Sequence, residues 1–218
     1  ESFEVLPGID PNTKNSYKPL EGKLYETGIK YAPSFLDGYI NLALFDLEQT
    51  NSLVSTGSGQ QTQAGEVTSQ GIELEGSVQA TEALRLTAAY TYTDAKTNDT
   101  GNGDRQASLI PRHQASFWGN YKVQQGPVSG LEVGTGVRYI GSSVGIGAVN
   151  TDYTPIYGSA QVPAQTVWDA MIGYDFAKNW RAQVNVNNLL NDTYVASCDY
   201  YCYYGEPRSI VGTVNYRW

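Results

Sequence analysis

Two cysteines lie close together near the end of the chain, Cys198 and Cys202, and the sequence contains no others. Two thiols at this spacing can form a disulfide across a tight loop, remain free, or supply half of a metal site. A zinc site would need further ligands, and His113 is the only histidine. We therefore favour the disulfide, which is typical of an oxidising compartment, with two free thiols or half a metal site as the alternatives.

Two carboxylates also have a spacing that could support chemistry. Glu73 and Glu75 are two residues apart, so they share one face of an extended segment, and paired carboxylates can perform acid–base catalysis. Alternatively, the two carboxylates have a structural role: they line a water-filled lumen and pair with Arg85 on the next strand. We predict this structural role and no enzyme activity, because no Ser/His/Asp or Cys/His arrangement can be assembled. No cofactor and no metal site are expected.

The elements that carry these residues alternate between apolar and polar positions. In the final segment, Val214, Tyr216 and Trp218 fall on one face, and Thr213 and Asn215 fall on the other. Such alternation predicts a β-strand with one apolar and one polar face. The same pattern, sometimes less strict, predicts nine strands in all, at 23–32, 38–49, 71–78, 84–93, 113–123, 131–141, 167–177, 180–188 and 209–218.

These strands are near the roughly 9–11 residues that a tilted strand needs to cross a bilayer. Short turns alternate with long polar links at about 49–70, 94–112, 141–165 and 188–207. Short turns at one end and long loops at the other are typical of an outer-membrane barrel, with the short turns in the periplasm. Aromatic residues near strand ends suit the membrane interfaces, at Tyr31, Tyr92, Tyr139, Trp168, Trp180 and Trp218.

We therefore predict an all-β, antiparallel transmembrane β-barrel in the bacterial outer membrane. The alternative is a soluble β-sandwich, which would bury its apolar face between two sheets. The terminal Trp218, with Tyr216 and Val214 on the same face, is predicted to act as a barrel-assembly signal. The net charge of −8 argues against a nucleic-acid partner. In a barrel, the charges Arg138, Asp169, Asp175, Arg181 and Arg217 are expected to face the lumen.

The strand count predicts an incomplete barrel. Nine strands cannot close a single-chain bacterial barrel, which has an even number, and an open edge in hydrocarbon would leave backbone groups unsatisfied. We therefore expect residues 1–218 to be the C-terminal part of one larger barrel domain.

Seven stretches, in their order and spacing, resemble TonB-dependent siderophore receptors: "KLYETGIKY" (23–31), "LALFDLEQTN" (42–51), "SQGIELEG" (69–76), "AAYTYTDAK" (88–96), "IPRHQASFW" (110–118), "VPAQTVWDA" (162–170) and "VNVNNLLNDTYVASC" (184–198). The ending from Tyr194 to Trp218 is most similar to the ferrichrome and ferrioxamine (hydroxamate) receptors, which carry a cysteine pair in the last extracellular loop. Where the family usually reads Asn-Leu-Phe-Asp, this chain has Asn188, Leu189, Leu190, Asn191 and then Asp192.

The resemblance implies TonB-coupled import of a ferric siderophore through a plugged barrel of the 22-stranded type. The plug domain and the segment that engages TonB would lie outside this chain. Further expected partners are outer-membrane lipid and, through the long loops, phage or bacteriocin. The alternative functions are part of a passive porin or, less in keeping with the pattern, a soluble β-sandwich binding module.

The resemblance also suggests where the ligand is bound. A siderophore saturates iron with its own oxygens, so its receptor needs aromatic and hydrogen-bonding side chains and no metal ligands. The cysteine-bridged loop supplies four tyrosines for this role, Tyr200, Tyr201, Tyr203 and Tyr204, and the 141–165 link supplies Tyr153 and Tyr157 as further candidates. The tyrosines could instead pack the loop against its neighbours or sit at the membrane interface.

Overall fold

The chain folds into two β-sheets whose strand pairs are antiparallel with one exception, as seen in a computed structural model that describes residues 1–11, 13–57, 60–99, 103–149, 155–199 and 201–218. Every regular element in those ranges is a strand. Within them, no helix has the length and apolar character needed to cross a membrane.

The strands are β1 (Ser2–Glu4), β2 (Leu20–Tyr31), β3 (Gly38–Gly57), β4 (Gln60–Gln79), β5 (Leu84–Asp99), β6 (Gly103–Gln106), β7 (His113–Lys122), β8 (Leu131–Ile140), β9 (Ser143–Val149), β10 (Pro155–Val162), β11 (Gln165–Ala177), β12 (Trp180–Asn187), β13 (Val195–Asp199), β14 (Tyr201–Tyr204) and β15 (Ser209–Tyr216). The main sheet has the order β1-β2-β3-β4-β5-β7-β8-β11-β12-β15, with β6 paired to β5. A smaller sheet has the order β10-β9-β13-β14; we call it the loop sheet. All nine predicted strands lie in the main sheet.

The register aligns the apolar positions of the main sheet on one face. Residues directly opposite each other on paired strands point to the same side. One such row crosses seven strands through Tyr31, Ile40, Gly76, Ala88, Phe117, Val137 and Trp168. A parallel row on the opposite face contains Asn41, Glu75, Ala89, Ser116, Arg138 and Val167. The main sheet therefore has a continuous apolar face and a face that is largely polar.

The apolar face is uncovered by protein. Ile29 is 66% exposed and Ile172 is 48% exposed, although both lie within strands. The buried apolar residues in the described ranges are Ala95, Ala107, Val162, Val167 and Cys198, and no large side chain there is fully buried. A β-sandwich would bury its apolar face between two sheets. The exposed face is instead what a membrane-spanning wall requires, because lipid covers it.

Aromatic side chains border the apolar face at both ends. At the short-turn end, the Trp180 ring lies 6.2 Å from that of Phe176 and 4.8 Å from that of Tyr216, measured between centroids. At the long-loop end, the Tyr92 ring lies 5.2 Å from the His113 ring. Aromatic rings at these levels are typical of the two interfaces of a membrane.

The long links contain more strand than the alternation predicted. β3 extends to Gly57 and β4 begins at Gln60, so both are longer than the predicted strands. β5 extends to Asp99 and pairs with β6. The 141–165 and 188–207 links contribute the four strands of the loop sheet. The described part of the long-loop end thus carries paired strands that could hold a site.

Candidate ligand-binding loop and polar face

The loop sheet holds the two cysteines. Cys198 in β13 and Cys202 in β14 are directly opposite each other and form a disulfide, which confirms the predicted pairing. Cys198 is buried, whereas Cys202 is exposed. β13 also pairs in parallel with β9 through Asp199 and Ile146. Gly145 permits this contact, because a Cβ there would lie 1.8 Å from the Cys198 carbonyl oxygen.

The tyrosines of β14 are divided between its two faces. Successive strand residues point to opposite sides, so Tyr201 and Tyr203 share a face and Tyr204 lies on the face of Cys202. All three are highly exposed, at 74%, 61% and 74% respectively. Tyr153 and Tyr200 lie outside the described residues, and Tyr157 belongs to β10. The structure therefore brings together Tyr201 and Tyr203, rather than every tyrosine of the loop.

Asn188 attaches this loop to the barrel wall. Its backbone N–H donates to Asp169 Oδ1 at 2.9 Å. Its side-chain amide donates to the carbonyls of Asp192 at 2.8 Å and Glu206 at 3.1 Å, and its Oδ1 accepts from the Asp192 N–H at 2.9 Å. Asn188 is 2% exposed and has a φ of 51°, a left-handed conformation that asparagine tolerates better than most residues.

A second asparagine in the same segment also joins the two ends of the loop. Asn191 has a φ of 58°, and its Oδ1 accepts from the Arg208 N–H at 3.0 Å. The sequence alone did not predict this role for the segment. The sequence signal for this role is the group of three asparagines, Asn187, Asn188 and Asn191, at the point where the alternation of apolar and polar residues ends. Asparagine favours left-handed turns.

Asp169 is also part of an ion pair on the polar face. Arg138 in β8 donates to both carboxylate oxygens of Asp169 in β11, from Nε at 2.6 Å and from Nη2 at 3.1 Å. A bidentate pair of this kind fixes geometry as well as adding energy. Together with the Asn188 contact, it ties the last loop to two neighbouring strands.

A larger ionic cluster lies on the polar face near the short-turn end. Asp175 accepts from Lys122 Nζ at 2.9 Å and from Arg181 Nη1 at 3.2 Å. Arg181 also donates to Glu132, which accepts in turn from Asn120. Four of the five charges expected on this face, Arg138, Asp169, Asp175 and Arg181, therefore lie in its ion pairs.

The predicted pairing of Glu73 or Glu75 with Arg85 is wrong. Glu75 accepts from Asn41 Nδ2 at 2.7 Å, and Arg85 contacts Asp37 Oδ2 at 3.6 Å and Gln79 Oε1 at 3.0 Å. The register explains the difference, because Glu75 is opposite Ala89, and Arg85 lies four residues before Ala89 in β5, a distance of roughly 14 Å.

His113 lies at the start of β7, as expected. Its Nδ1 is 2.9 Å from Tyr90 Oη, and Gly141 donates to its carbonyl at 2.7 Å. Across the described parts of the chain, no group of three His, Cys, Asp or Glu residues could hold a metal ion.

An apolar outer face with aromatic borders, a polar face and a small loop sheet at one end define the wall of a transmembrane β-barrel. Comparison with known proteins identifies the family of barrel proteins to which the chain belongs. A family profile described as "TonB dependent receptor-like, beta-barrel" matches residues 3–189. The chain belongs to this family of bacterial outer-membrane receptors, which confirms the resemblance drawn from its motifs.

Curated relatives resemble the chain along most or all of its length. It is 36% identical over 226 residues to the ferrichrome outer membrane transporter/phage receptor of Escherichia coli K12, covering 100% of this chain and 29% of that protein. It is 36% identical over 211 residues to the ferrioxamine B receptor of Salmonella typhimurium LT2, covering 93% of this chain and 29% of the relative. The chain thus spans less than a third of these relatives. Both are receptors or transporters, in agreement with the prediction that the chain is not an enzyme.

Solved structures share the fold. The ferric-catecholate import receptor Fiu of Escherichia coli K12 matches with a TM-score of 0.74 and 27% identity, over 98% of this chain and 30% of that one. The ferripyoverdine receptor of Pseudomonas aeruginosa matches with a TM-score of 0.81 over 98% of this chain and 29% of that one. Its identity is 22%, so this likeness supports the fold alone.

Proposed function

We propose that this chain forms C-terminal barrel wall and extracellular loops of an outer-membrane receptor that imports a ferric siderophore of the hydroxamate type. The transport is active and is coupled to TonB. The plug domain and the TonB-engaging segment belong to parts of the receptor outside this chain. Among the described residues, two strand edges of the main sheet have no partner: that of β2 beyond the three residues paired with β1, and that of β15. Further strands must cover these edges in a membrane, which supports this assignment.

The observation that carries the proposal is the disulfide-bridged hairpin with exposed tyrosines above a polar wall. A ferric siderophore is a compact, partly apolar complex whose iron is already saturated, so the iron is cargo and needs no ligand from the protein. Tyrosine offers a flat apolar ring and a hydroxyl at a low cost in conformational entropy. The similarity to ferrichrome and ferrioxamine receptors favours a hydroxamate complex.

Among the tyrosines, Tyr201 and Tyr203 are the strongest candidates for ligand contact. They lie on the same face two residues apart, which places their Cα atoms about 7 Å from each other along the strand. Tyr204 lies on the opposite face with the disulfide, so it serves as a matched control.

We expect the Tyr201→Ala/Tyr203→Ala double variant of the complete receptor to bind ferric ferrichrome or ferric ferrioxamine B about tenfold more weakly, through lost aromatic contacts. Tyr204→Ala should change the Kd less than about twofold. Equilibrium titration followed by intrinsic fluorescence measures all three proteins. Equal effects of the two substitutions would contradict the assignment of the ligand to the Tyr201 face.

Transport itself tests the wider proposal. The complete receptor is expressed in an Escherichia coli strain that lacks its own hydroxamate receptors, and uptake of radiolabelled iron is measured from hydroxamate and catecholate complexes. We expect uptake from a hydroxamate complex that disappears in a strain without TonB. Uptake independent of TonB would favour the passive porin, and a receptor extracted without detergent would favour the soluble module.

The E. coli relative is named as a phage receptor as well as a transporter. We propose that the long loops of this chain are likewise available to phage or bacteriocin from outside the cell. Resistance of cells that lack the receptor, restored by its expression, would support this secondary role.

A further inference from the structure

The apolar face of the main sheet contains a recess near its short-turn end. Along one row from β3 to β7, the consecutive neighbours are Ile40, Gly76, Ala88 and Phe117. The two small residues are therefore flanked by a large side chain on either side. We call the recess above these two residues the Gly76–Ala88 groove.

The neighbouring rows close the groove along the strands. Leu74 is opposite Tyr90 in the row towards the long loops, and Val78 is opposite Leu86 in the row towards the short turns. All four side chains point to the apolar face, because every second residue of a strand lies on the same side. The groove is therefore a bounded recess, with a volume of about 330 Å³.

The turn between β2 and β3 forms a further wall of the groove. Residues 32–37 read "APSFLD", and Pro33 and Leu36 line the groove. The Gln79 N–H donates to the carbonyl of Asp37 at 2.8 Å, which fastens the turn to the end of β4. An apolar turn that is held against the apolar face in this way lies at the membrane surface.

The position of the groove along the strands places it in one leaflet of the membrane. Gly76 lies three residues before the end of β4, and Ala88 lies four residues after the start of β5. Both are therefore within about 14 Å of the short-turn ends, which is less than half of the roughly 30 Å hydrocarbon core. Because short turns lie on the periplasmic side, the groove faces the acyl chains of the periplasmic leaflet.

Two opposite charges lie beside the groove at the same end of the sheet. Arg85 Nη2 is 3.6 Å from Asp37 Oδ2, and both residues are exposed. Arg85 Nε also donates to Gln79 Oε1 at 3.0 Å, which positions the guanidinium at the end of β4. An exposed ion pair at this distance adds little stability, so both groups can exchange it for the charges of a ligand.

The charged pair and the groove are joined through the chain. Arg85 is adjacent in sequence to Leu86, and Asp37 is adjacent to Leu36, and both leucines line the groove. The recess therefore has an apolar part within the hydrocarbon and a cation and an anion at the surface. A molecule that matches it has a hydrocarbon chain joined to a headgroup with one negative and one positive group.

We propose that the Gly76–Ala88 groove and the Arg85–Asp37 pair form a binding site for phosphatidylethanolamine from the periplasmic leaflet. One acyl chain fills the groove, the phosphate accepts hydrogen bonds from Arg85, and the primary ammonium donates to Asp37. Phosphatidylglycerol has the same phosphate and chains but no cation for Asp37, so the site discriminates against it. The site concerns the lipid around the barrel and is independent of the siderophore.

The acyl-chain part is tested by filling the groove with a larger side chain. Ala88→Phe does this, and Ala170→Phe makes the same change on the apolar face of β11, opposite Thr135 and outside the groove. The complete receptor is purified in detergent, freed of lipid and titrated with phosphatidylethanolamine, and binding is measured by native mass spectrometry. Heat-modifiable migration in detergent gels verifies that each barrel is assembled.

We expect Ala88→Phe to bind phosphatidylethanolamine about fivefold more weakly than wild type, and Ala170→Phe to differ less than about twofold, because only the first removes chain packing in the groove. Unchanged binding by Ala88→Phe would overturn the proposal. Equal weakening by both substitutions would also overturn it, since lipid would then bind along the whole apolar face without a defined site.

The headgroup part is tested by comparing two lipids. Wild type should bind phosphatidylethanolamine about fivefold more tightly than phosphatidylglycerol, and Asp37→Asn should reduce this preference below about twofold. Glu82→Gln is the matched control, because Glu82 is an exposed carboxylate in the next short turn, and it should keep the preference. Equal affinity of wild type for the two lipids would contradict the role of the charged pair.

A measurement on the wild-type receptor covers the case in which Ala88→Phe does not assemble. Phosphatidylethanolamine with a photoreactive group in its acyl chain is incorporated into vesicles with the complete receptor, and the labelled residues are located by mass spectrometry. Labelling should concentrate in residues 33–40 and 74–90 and be several-fold lower on β8 and β11. Even labelling over the apolar face would overturn the site. None of these measurements uses a siderophore, so their outcome is separate from that of the proposed function.

Discussion

Replacement of Val184 by arginine is expected to lower the free energy of unfolding of the complete receptor in phospholipid vesicles by about 3 kcal/mol. Val184 lies in the middle of β12 on the apolar face, opposite Ile172 on one side and Gly212 on the other. A cation at this depth must either enter hydrocarbon or distort the bilayer around it, and both are costly. Urea titration followed by tryptophan fluorescence measures the change.

The neighbouring position provides the control for this prediction. Asn185 is one residue further along the same strand and faces the polar side, so Asn185→Arg should change the unfolding free energy by less than about 1 kcal/mol. The contrast between adjacent residues is the signature of a wall with lipid on one side and water on the other. If both variants were tolerated equally, β12 would face water on both sides, as in a soluble module.

Replacement of Asn188 by alanine is expected to destabilise the last loop by about 3 kcal/mol, because three side-chain hydrogen bonds are lost at about 1 kcal/mol each. The carbonyls of Asp192 and Glu206 then lose a donor. Hydrogen exchange of residues 189–208 in the complete receptor measures the effect, which should appear as faster exchange in this loop and not in β2–β5.

Two further variants separate the causes of this effect. Asn188→Gly keeps the left-handed backbone while losing the side chain, so it should be less destabilising than Asn188→Ala by about 1 kcal/mol. Asn187→Ala removes one hydrogen bond of an exposed residue and should have little effect. Unchanged exchange in Asn188→Ala would show that the disulfide and the loop sheet hold the loop without Asn188.

The nine membrane strands could be predicted because a bilayer imposes a simple rule. Each residue of a spanning strand faces either lipid or the polar side, so apolar and polar types alternate, as in "WRAQVNVNN" at 180–188. Outside the membrane, strands need not alternate between apolar and polar residues. The extensions of β3, β4 and β5 carry Thr, Gln, Ser and Asn on both faces, and their strand structure is therefore invisible to alternation.

The site was less predictable because its geometry depends on long-range register. The disulfide followed from two cysteines four residues apart, but the division of the tyrosines between two faces required the bounds of β14. The parallel contact of β13 with β9 joins residues more than 50 positions apart. The predicted pairing of Glu75 with Arg85 was wrong for the same reason. The two residues do lie on the same face of the sheet, but they are at different positions along their strands.

The most direct test of the account is an experimental structure of the complete receptor with ferric ferrichrome bound. We expect further strands to pair with the edges at β2 and β15, the apolar face to lie within the lipid or detergent belt, and the ferric complex to contact Tyr201 or Tyr203. A complex bound away from the loop sheet would contradict the proposed site. A closed soluble sandwich with Ile172 and Val184 buried between two sheets would contradict the barrel wall itself.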